Sequence, residues 1–242
     1  MGNGFIFGDR STADFHMKAE RYPIQKAPYR KGETISVEGR NGDLHIWENA
    51  YANYIQPYEC YFREPGKPMP LLAHEVKTWL MARAGYHRLE DAYDPGHFRL
   101  ASFAGPMDIE NILNKYGRCT VEFDCCPQSF LTSGEQAITF ESPGILTNPT
   151  AFEALPLITV YGNGEGTVTI GSTVVQVYRV TEPIILDCDS QNAYSQPGEG
   201  APANCNNDIL AIPFPSLLPG DNAISFSGDI KKIEIIPRWW EL

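Results

Sequence analysis

Two short acidic clusters contain the side chains best suited to acid–base chemistry. The first comprises Glu90, Asp91 and Asp94, and the second comprises Asp187 and Asp189. Paired carboxylates act as general acid and nucleophile in glycoside hydrolysis, but only their separation in space identifies such a pair. Solvated carboxylates in turns explain the same residues, and this is the interpretation that we favour.

A metal site would require ligands at short, regular spacing. Asp187, Asp189 and Asn192 offer hard oxygens to a calcium ion, yet their spacing differs from that of an EF-hand loop. The five histidines include no H-E-x-x-H pair, and the six cysteines include no C-x-x-C pair. We therefore predict no metal, no cofactor and no catalytic residue, and we expect the cysteines to be buried free thiols.

Aromatic rings are the remaining candidates for a binding site. Trp239 and Trp240 are adjacent at the end of an apolar stretch, so a strand there would direct one ring inward and one outward. The outward ring would stack on a sugar or lie in a protein interface. Together with Tyr194, these residues form a candidate contact site for a glycan or a protein. The glycine-rich stretch 162–166 has no following helix and predicts a hairpin, not a phosphate loop.

The charge of the chain limits its possible partners. The 242 residues carry a formal net charge of −11, which repels phosphate and argues against sequence-independent binding of nucleic acid. No apolar run approaches the ~18 residues that a membrane-spanning helix needs. The N-terminus has no signal-peptide pattern. We expect a protein that folds in a cytoplasm and carries no membrane anchor.

The first half of the sequence combines strand and helix patterns. Asn41-Gly42 is the strongest short hairpin signal, because both residues accept positive φ. Apolar residues at helical spacing predict two helices, one through Leu72–Leu80 and one through Ile109–Tyr116. Strands are predicted at Phe5–Phe7, Glu33–Val37 (half-buried), Leu44–Trp47, Tyr58–Phe62 and Cys119–Cys125.

Helical periodicity disappears after the Pro- and Gly-containing stretch 142–149, which we take as the boundary between domains 1–143 and 144–242. Seven short apolar segments separated by turn clusters follow, as in a β-sandwich. They are Leu157–Tyr161, Gly166–Ile170, Thr173–Val180, Pro183–Asp187, Ile209–Phe214, Ala223–Ser227 and Ile230–Pro237. The polar segment Ser190–Asn207 is predicted to be a long loop. The expected fold is an α+β domain, β-rich with two helices, followed by an all-β sandwich.

Several stretches, in order along nearly the whole chain, resemble the distal tail proteins of long-tailed phages (siphophages). No single stretch is diagnostic, and their order carries the resemblance. They are Phe5–Phe15, Val37–Leu44, Tyr58–Cys60, Gly85–Pro95, Gly117–Cys125, Asn148–Thr150 to Pro156–Ile158, Phe214–Asn222 and Pro237–Trp240.

The resemblance implies a fold and a role. In this family the N-terminal domain closes into a hexameric ring, and a galectin-like or carbohydrate-module-like sandwich lies outside the ring. The ring joins the tail-tube protein to the tail-tip protein, in many phages it anchors receptor-binding proteins, and DNA passes through its lumen without specific binding. The resemblance therefore implies a structural protein of the virion tail, assembled in the host cytoplasm.

Other interpretations stay open at this point. A carbohydrate-binding protein would recognise cell-wall glycans through Trp239, Trp240 or Tyr194, and a hydrolase would use aspartate or glutamate. Apart from the resemblance, a heterologous interface whose rotation closes gives a ring. Exposed edge strands beside Asn41-Gly42 would pair between neighbouring copies. We predict a homohexamer.

Overall fold

The computed structural model of the chain describes residues 3–103, 105–196, 198 and 200–242. In this part of the chain β-strands predominate, and the single α-helix is Met69–Met81 (α1). Two compact units are present: the first ends at Ser129, and the second is Phe130–Glu241. The division lies upstream of the expected 143/144 boundary because the strand Ile138–Phe140 pairs with a strand of the second unit.

Most strands of the first unit belong to one sheet. The strands are Phe5–Phe7 (β1), Arg10–Ser11 (β2), Met17–Ala19 (β3), Arg30–Ile35 (β4), Leu44–Tyr51 (β5), Tyr54–Phe62 (β6), His87–Asp91 (β7), His97–Phe103 (β8), Ile109–Ile112 (β9) and Tyr116–Leu131 (β10). The order in the sheet is β2-β1-β7-β8-β10-β6-β3, and β9 also pairs with β10. β4 and β5 form a separate two-stranded sheet.

Helix α1 contributes the predicted apolar stripe to the core of the first unit. The Trp79 ring stacks on Phe15 with centroids 4.6 Å apart, and its Nε1 donates a hydrogen bond to the Phe7 carbonyl at 3.3 Å. Burial of each large apolar side chain contributes about 1.5–3 kcal/mol, so packing fixes this helix. The buried members of the predicted stripe are Leu72, Val76, Trp79 and Leu80.

Strand β10 contributes a second set of core side chains, and the sequence predicts this set correctly. Alternate residues of a strand point to opposite faces, and the predicted inner face is buried while Thr120 and Glu122 are exposed. The buried residues are Cys119, Val121, Phe123 and Cys125.

The second predicted helix is wrong: residues 109–116 belong to a β-hairpin. β9 pairs antiparallel with the start of β10, from Ile109↔Cys119 to Ile112↔Tyr116. Leu113 has a φ of 53° and Asn114 a φ of 52°, the left-handed values that both central residues of a type I′ turn need. The helical spacing of the apolar residues does not determine the secondary structure of this segment, because β10 supplies hydrogen-bond partners for its backbone.

The second unit is built on two long strands. Its strands are Ile138–Phe140 (β11), Gly144–Asn148 (β12), Leu157–Ile170 (β13), Thr173–Val180 (β14), Ile184–Asp187 (β15), Asn192–Ser195 (β16), Ala203–Asn204 (β17), Ile209–Leu210 (β18), Gly220–Ile236 (β19) and Trp240–Glu241 (β20). The sheet order is β11-β19-β13-β15-β16-β17; β12 also pairs with β19, and β14 lies between β13 and β18.

β13 and β19 each join two strands that the sequence predicts separately. They pair along most of their length, with register shifts between Tyr161 and Gly166. The stretch 162–166, expected to be a hairpin, is instead a bulge through which β13 continues. A Cβ on Gly166 would lie 2.2 Å from the carbonyl oxygen of Ser227, so glycine alone permits this close approach.

The inner side chains of the second unit form one buried cluster. Ile158 and Val160 enter it from one end of β13, and Val168 and Ile170 enter it from the other. The predicted loop Ser190–Asn207 contributes as well, because it contains the strands β16 and β17. Within that segment, positions 197 and 199 lie outside the described residues.

Candidate assembly surface

The hairpin β4–β5 belongs to neither buried cluster. Its strands pair from Arg30↔Tyr51 to Ile35↔Leu44, on either side of the predicted Asn41-Gly42 turn region. Every β4 residue and most β5 residues are exposed, so the half-buried strand predicted at Glu33–Val37 is covered on neither face in the single chain. An isolated two-stranded hairpin is marginally stable in water, and these exposed faces therefore suit a partner surface.

One face of this hairpin is largely apolar. Direct pairing puts Ile35 beside Leu44 and Glu33 beside Ile46, and the two pairs share a face because they are two residues apart. Ile35, Leu44 and Ile46 leave 41%, 38% and 48% of their surface exposed. A contiguous apolar stripe of this kind marks an interaction site, whereas single exposed residues do not.

The opposite face carries two stacked rings. Trp47 lies opposite Gly32 so closely that a Cβ on the glycine would be 3.1 Å from Trp47 Cε3. The His45 ring stacks on Trp47 with centroids 5.5 Å apart, and His45 Nδ1 lies 3.0 Å from Thr34 Oγ1. Trp47 is nevertheless 54% exposed. We define the hairpin surface as Ile35, Leu44, His45, Ile46 and Trp47.

Contacts at its base fix where the hairpin leaves the first unit. The Ala52 N–H donates to the Tyr29 carbonyl at 2.8 Å, and the Arg30 guanidinium lies 5.5 Å from the centroid of the Tyr51 ring. A further hydrogen bond joins the segment after the hairpin to the segment before it: Gln56 Nε2 donates to the carbonyl of Ile24 at 3.1 Å. The hairpin is thus anchored at its base and exposed along both faces.

The three aromatic residues singled out in the sequence lie in different environments. Trp239 is buried in the second core, as expected for the inward ring. The Trp240 ring is half-buried and stacks on Phe152 with centroids 4.4 Å apart, and its Nε1 donates to the Glu153 carbonyl at 2.9 Å. Tyr194 is half-buried on β16. One face of the Trp240 ring and its only donor are therefore already engaged within the chain.

The first acidic cluster is held by hydrogen bonds within the first unit. Asp91 accepts hydrogen bonds from the Tyr58 hydroxyl at 3.0 Å and from the Tyr93 N–H at 2.9 Å. Asp94 accepts one from Arg99 at 2.8 Å. Both carboxylates line a recess of about 250 Å³, and burial raises the pKa of Asp91 above its usual range. These contacts account for the cluster through folding.

The second acidic cluster contains an ion pair. Arg238 Nη1 donates to Asp187 Oδ1 at 2.6 Å. Burial alone would raise the pKa of Asp187, but the hydrogen bond and charge of Arg238 outweigh it, and the pKa lies below its ordinary value. The six cysteines are free, as expected, and all except the half-buried Cys126 are buried.

Residues 3–103, 105–196, 198 and 200–242 contain no group of three His, Cys, Asp or Glu side chains placed to hold a metal ion. Across the same ranges, no helix combines the length and the apolar character needed to cross a membrane.

Comparison with known proteins finds similarity at the level of structure. No family model and no curated protein matches the chain. The crystal structure of SPP1 Dit (gp 19.1), described as a paradigm of the hub adsorption apparatus in phages infecting Gram-positive bacteria, superposes with a TM-score of 0.74. The identity is 10%, and 99% of each chain is covered.

A second solved structure also has a similar fold. A chain of the phage p2 baseplate, in its activated conformation with Sr, superposes with a TM-score of 0.51 at 8% identity, over 96% of this chain and 97% of that chain. The fold is therefore that of phage hub and baseplate components. In particular, this chain has the fold of SPP1 Dit over nearly the whole of both chains.

Proposed function

We propose that this chain is a structural subunit of the distal tail, or baseplate hub, of a long-tailed phage or prophage. The observation that carries the proposal is the likeness to SPP1 Dit, which covers 99% of both chains and so includes both units. The stretches of sequence that resemble distal tail proteins, in the same order along the chain, support the same role independently of the fold. No observation favours a carbohydrate-binding protein over this role, and the proposed subunit has no enzymatic activity.

The proposed subunit assembles into a homohexameric ring. In this proposal the first unit, predicted from the sequence as 1–143, forms the ring, and the second unit, predicted as 144–242, is a galectin-like or carbohydrate-module-like sandwich on the outside. A closed ring needs a heterologous interface, in which one surface of a copy meets a different surface of the next. The hairpin surface supports this arrangement, because it exposes Trp47 and an apolar stripe that the single chain leaves uncovered.

The ring joins the tail-tube protein on one side to the tail-tip protein on the other, and it carries receptor-binding proteins in those phages that attach them here. DNA passes through its lumen without specific binding. The net charge of −11 supports this, because an acidic protein does not retain phosphate groups. The subunit is assembled in the bacterial cytoplasm and remains in the virion tail.

Immunogold microscopy tests this role directly. Antibodies raised against the full chain are applied to purified particles of the phage or prophage that encodes it, with pre-immune antibodies as the control. We expect gold at the distal end of the tail on most labelled particles. Gold confined to the capsid, or particles that lack the chain by mass spectrometry, would contradict the proposed function.

A further inference from the structure

Five strands meet at one end of the second unit: β12, β14, β18 and the adjoining parts of β13 and β19. Pairing sets Ser225 opposite Thr169 and Ser227 opposite Thr167. Their neighbours along each strand are the inner core residues, so these side chains point outward. We define the neutral face as the outward residues Thr167, Thr169, Val174, Gln176, Tyr178, Leu210, Ser225 and Ser227.

The neutral face contains no charged side chain, and the charges around it are mainly acidic. Asp221 lies at the start of β19, and Glu165 and Asp229 lie together at the bulge, where the Glu165 N–H donates to Asp229 Oδ2 at 3.4 Å. The Arg179 charge is paired with Asp208 at 2.9 Å. The result is an uncharged centre with an acidic rim.

Three polar side chains of the neutral face, Thr167, Gln176 and Ser227, are already hydrogen-bonded to one another or to the backbone. Thr167 Oγ1 and Ser227 Oγ are 2.7 Å apart, and Gln176 Nε2 donates to the carbonyl of Gly166 at 3.3 Å. Burying a polar group that keeps its hydrogen bond costs far less than burying an unpaired one. A partner that covers this face removes no charge from water at its centre, so the usual penalty for burying an ion does not arise.

The neutral face also leaves large apolar side chains uncovered. Val174, Tyr178 and Leu210 expose 53%, 52% and 47% of their surface. On β14, Gln176 lies between Val174 and Tyr178, and Leu210 of β18 lies opposite Gln176. The three apolar side chains therefore form one continuous area. Depletion of charge at the centre, together with an exposed tyrosine, is typical of the core of a protein–protein interface.

We propose that the neutral face docks a protein subunit other than this chain, one whose contact area has an uncharged centre surrounded by lysine and arginine. Such a rim complements Asp221, Glu165 and Asp229. A second copy of this chain docked through the same face fits poorly, because two neutral faces would bring acidic rims together. DNA and anionic membranes are disfavoured for the same reason. The proposal rests on the proposed function, in which the second unit lies outside the ring.

Photocrosslinking in assembled tails tests this surface. Full-length chain with p-benzoylphenylalanine at position 178 in place of Tyr178 is assembled into tails, irradiated and analysed by mass spectrometry. The matched control carries the same substitution at Tyr161, whose hydroxyl and ring instead contact Glu234 and Lys232. We expect position 178 to yield an adduct with a different virion protein, and position 161 not to yield that adduct.

Three outcomes overturn the proposal: an adduct only with another copy of this chain, no adduct from position 178, or the same adduct from both positions. A substitution gives a quantitative check. Tyr178→Ala should weaken retention of the crosslinked protein on tails roughly 30-fold, the effect of losing an interface anchor, whereas Tyr161→Ala should leave it unchanged. If rings form as in the wild type but position 178 yields no adduct, only the docking proposal is overturned. If no rings form, the proposed function is overturned as well.

Discussion

Replacing Trp47 by alanine should weaken ring assembly while leaving the single chain folded. Trp47 is 54% exposed, so about half of the ~250 Å² that a fully buried tryptophan removes from water is left for a partner to cover. At ~25 cal/mol per Å², that area corresponds to about 3 kcal/mol at each interface. A loss of this size raises the dissociation constant of one interface roughly 100-fold.

Sedimentation velocity over a concentration series measures this effect. We expect the concentration at which Trp47→Ala forms rings to be at least ~100-fold higher than for the wild type. Thermal unfolding of the monomer should change by less than about 1 kcal/mol, because Trp47 lies outside both cores. The control is Leu113→Asn, which changes another exposed apolar residue in a turn where φ is 53°.

Two results would refute this reasoning. If Trp47→Ala forms rings at the wild-type concentration, the hairpin surface is not an assembly interface. If the variant loses rings and the monomer loses stability to the same extent, Trp47 acts through folding of the hairpin. Leu113→Asn should form rings as the wild type does, and its failure would show that the assay does not distinguish surfaces.

Three further predictions concern the single chain. Gly228→Ala should lower the free energy of unfolding by about 2–3 kcal/mol, because φ is 71° and a Cβ would lie 2.5 Å from the carbonyl oxygen of Glu165. The control, Gly220→Ala, has a φ of 82° but open space around the Cβ, and it should lower the free energy by only about 1 kcal/mol. Urea unfolding measures both values. Burial raises the folded-state pKa of Asp91, so wild type loses stability as pH rises through that pKa. Asp91→Asn should therefore gain stability relative to wild type as pH rises above about 3.9, the ordinary pKa of aspartate, and a flat difference in urea unfolding would contradict this. Iodoacetamide should label Cys126 first by mass spectrometry, because Cys126 is half-buried whereas burial raises the pKa of Cys125 to about 12; earlier labelling of Cys125 would count against the structure.

Elements with strong local signals are predictable from the sequence. Helix α1 follows from its apolar stripe, and the buried face of β10 follows from strict alternation. A hairpin does form around Asn41-Gly42, but a longer loop, residues 36–43, joins its strands; the hydrogen-bonded turn runs from Val37 to Arg40, and of the predicted pair Gly42 has a positive φ and Asn41 does not. In each case the signal comes from a few neighbouring residues and does not depend on a distant partner.

Elements fixed by pairing with another strand, whether that strand is near or distant in the sequence, are predicted wrongly. The segment 109–116 has helical spacing, but β10 offers it backbone partners and Asn114 adopts the left-handed region. Stretch 162–166 has turn composition, but β19 pairs on both sides of it, so the strand passes through as a bulge. Propensity is a weak guide when tertiary pairing supplies the hydrogen bonds.

Whether an aromatic residue belongs to a candidate surface depends on its exposure in the fold, and neighbouring residues in the sequence do not predict that exposure. Trp239 and Trp240 stand out by residue type, yet one is buried and the other stacks on Phe152. Trp47 is equally apolar but remains 54% exposed, because it lies on a hairpin that belongs to neither core. The Asn41-Gly42 pair predicts a hairpin in this region, but only the fold reveals that both faces of the hairpin are uncovered.

Electron microscopy of the purified full chain tests the central claim most directly. We expect closed rings with six-fold symmetry, in which the hairpin of each copy lies against the next copy and covers Trp47. A structure in which the chain remains a single copy at high concentration, or in which the rings close while Trp47 stays exposed to solvent, would contradict the account.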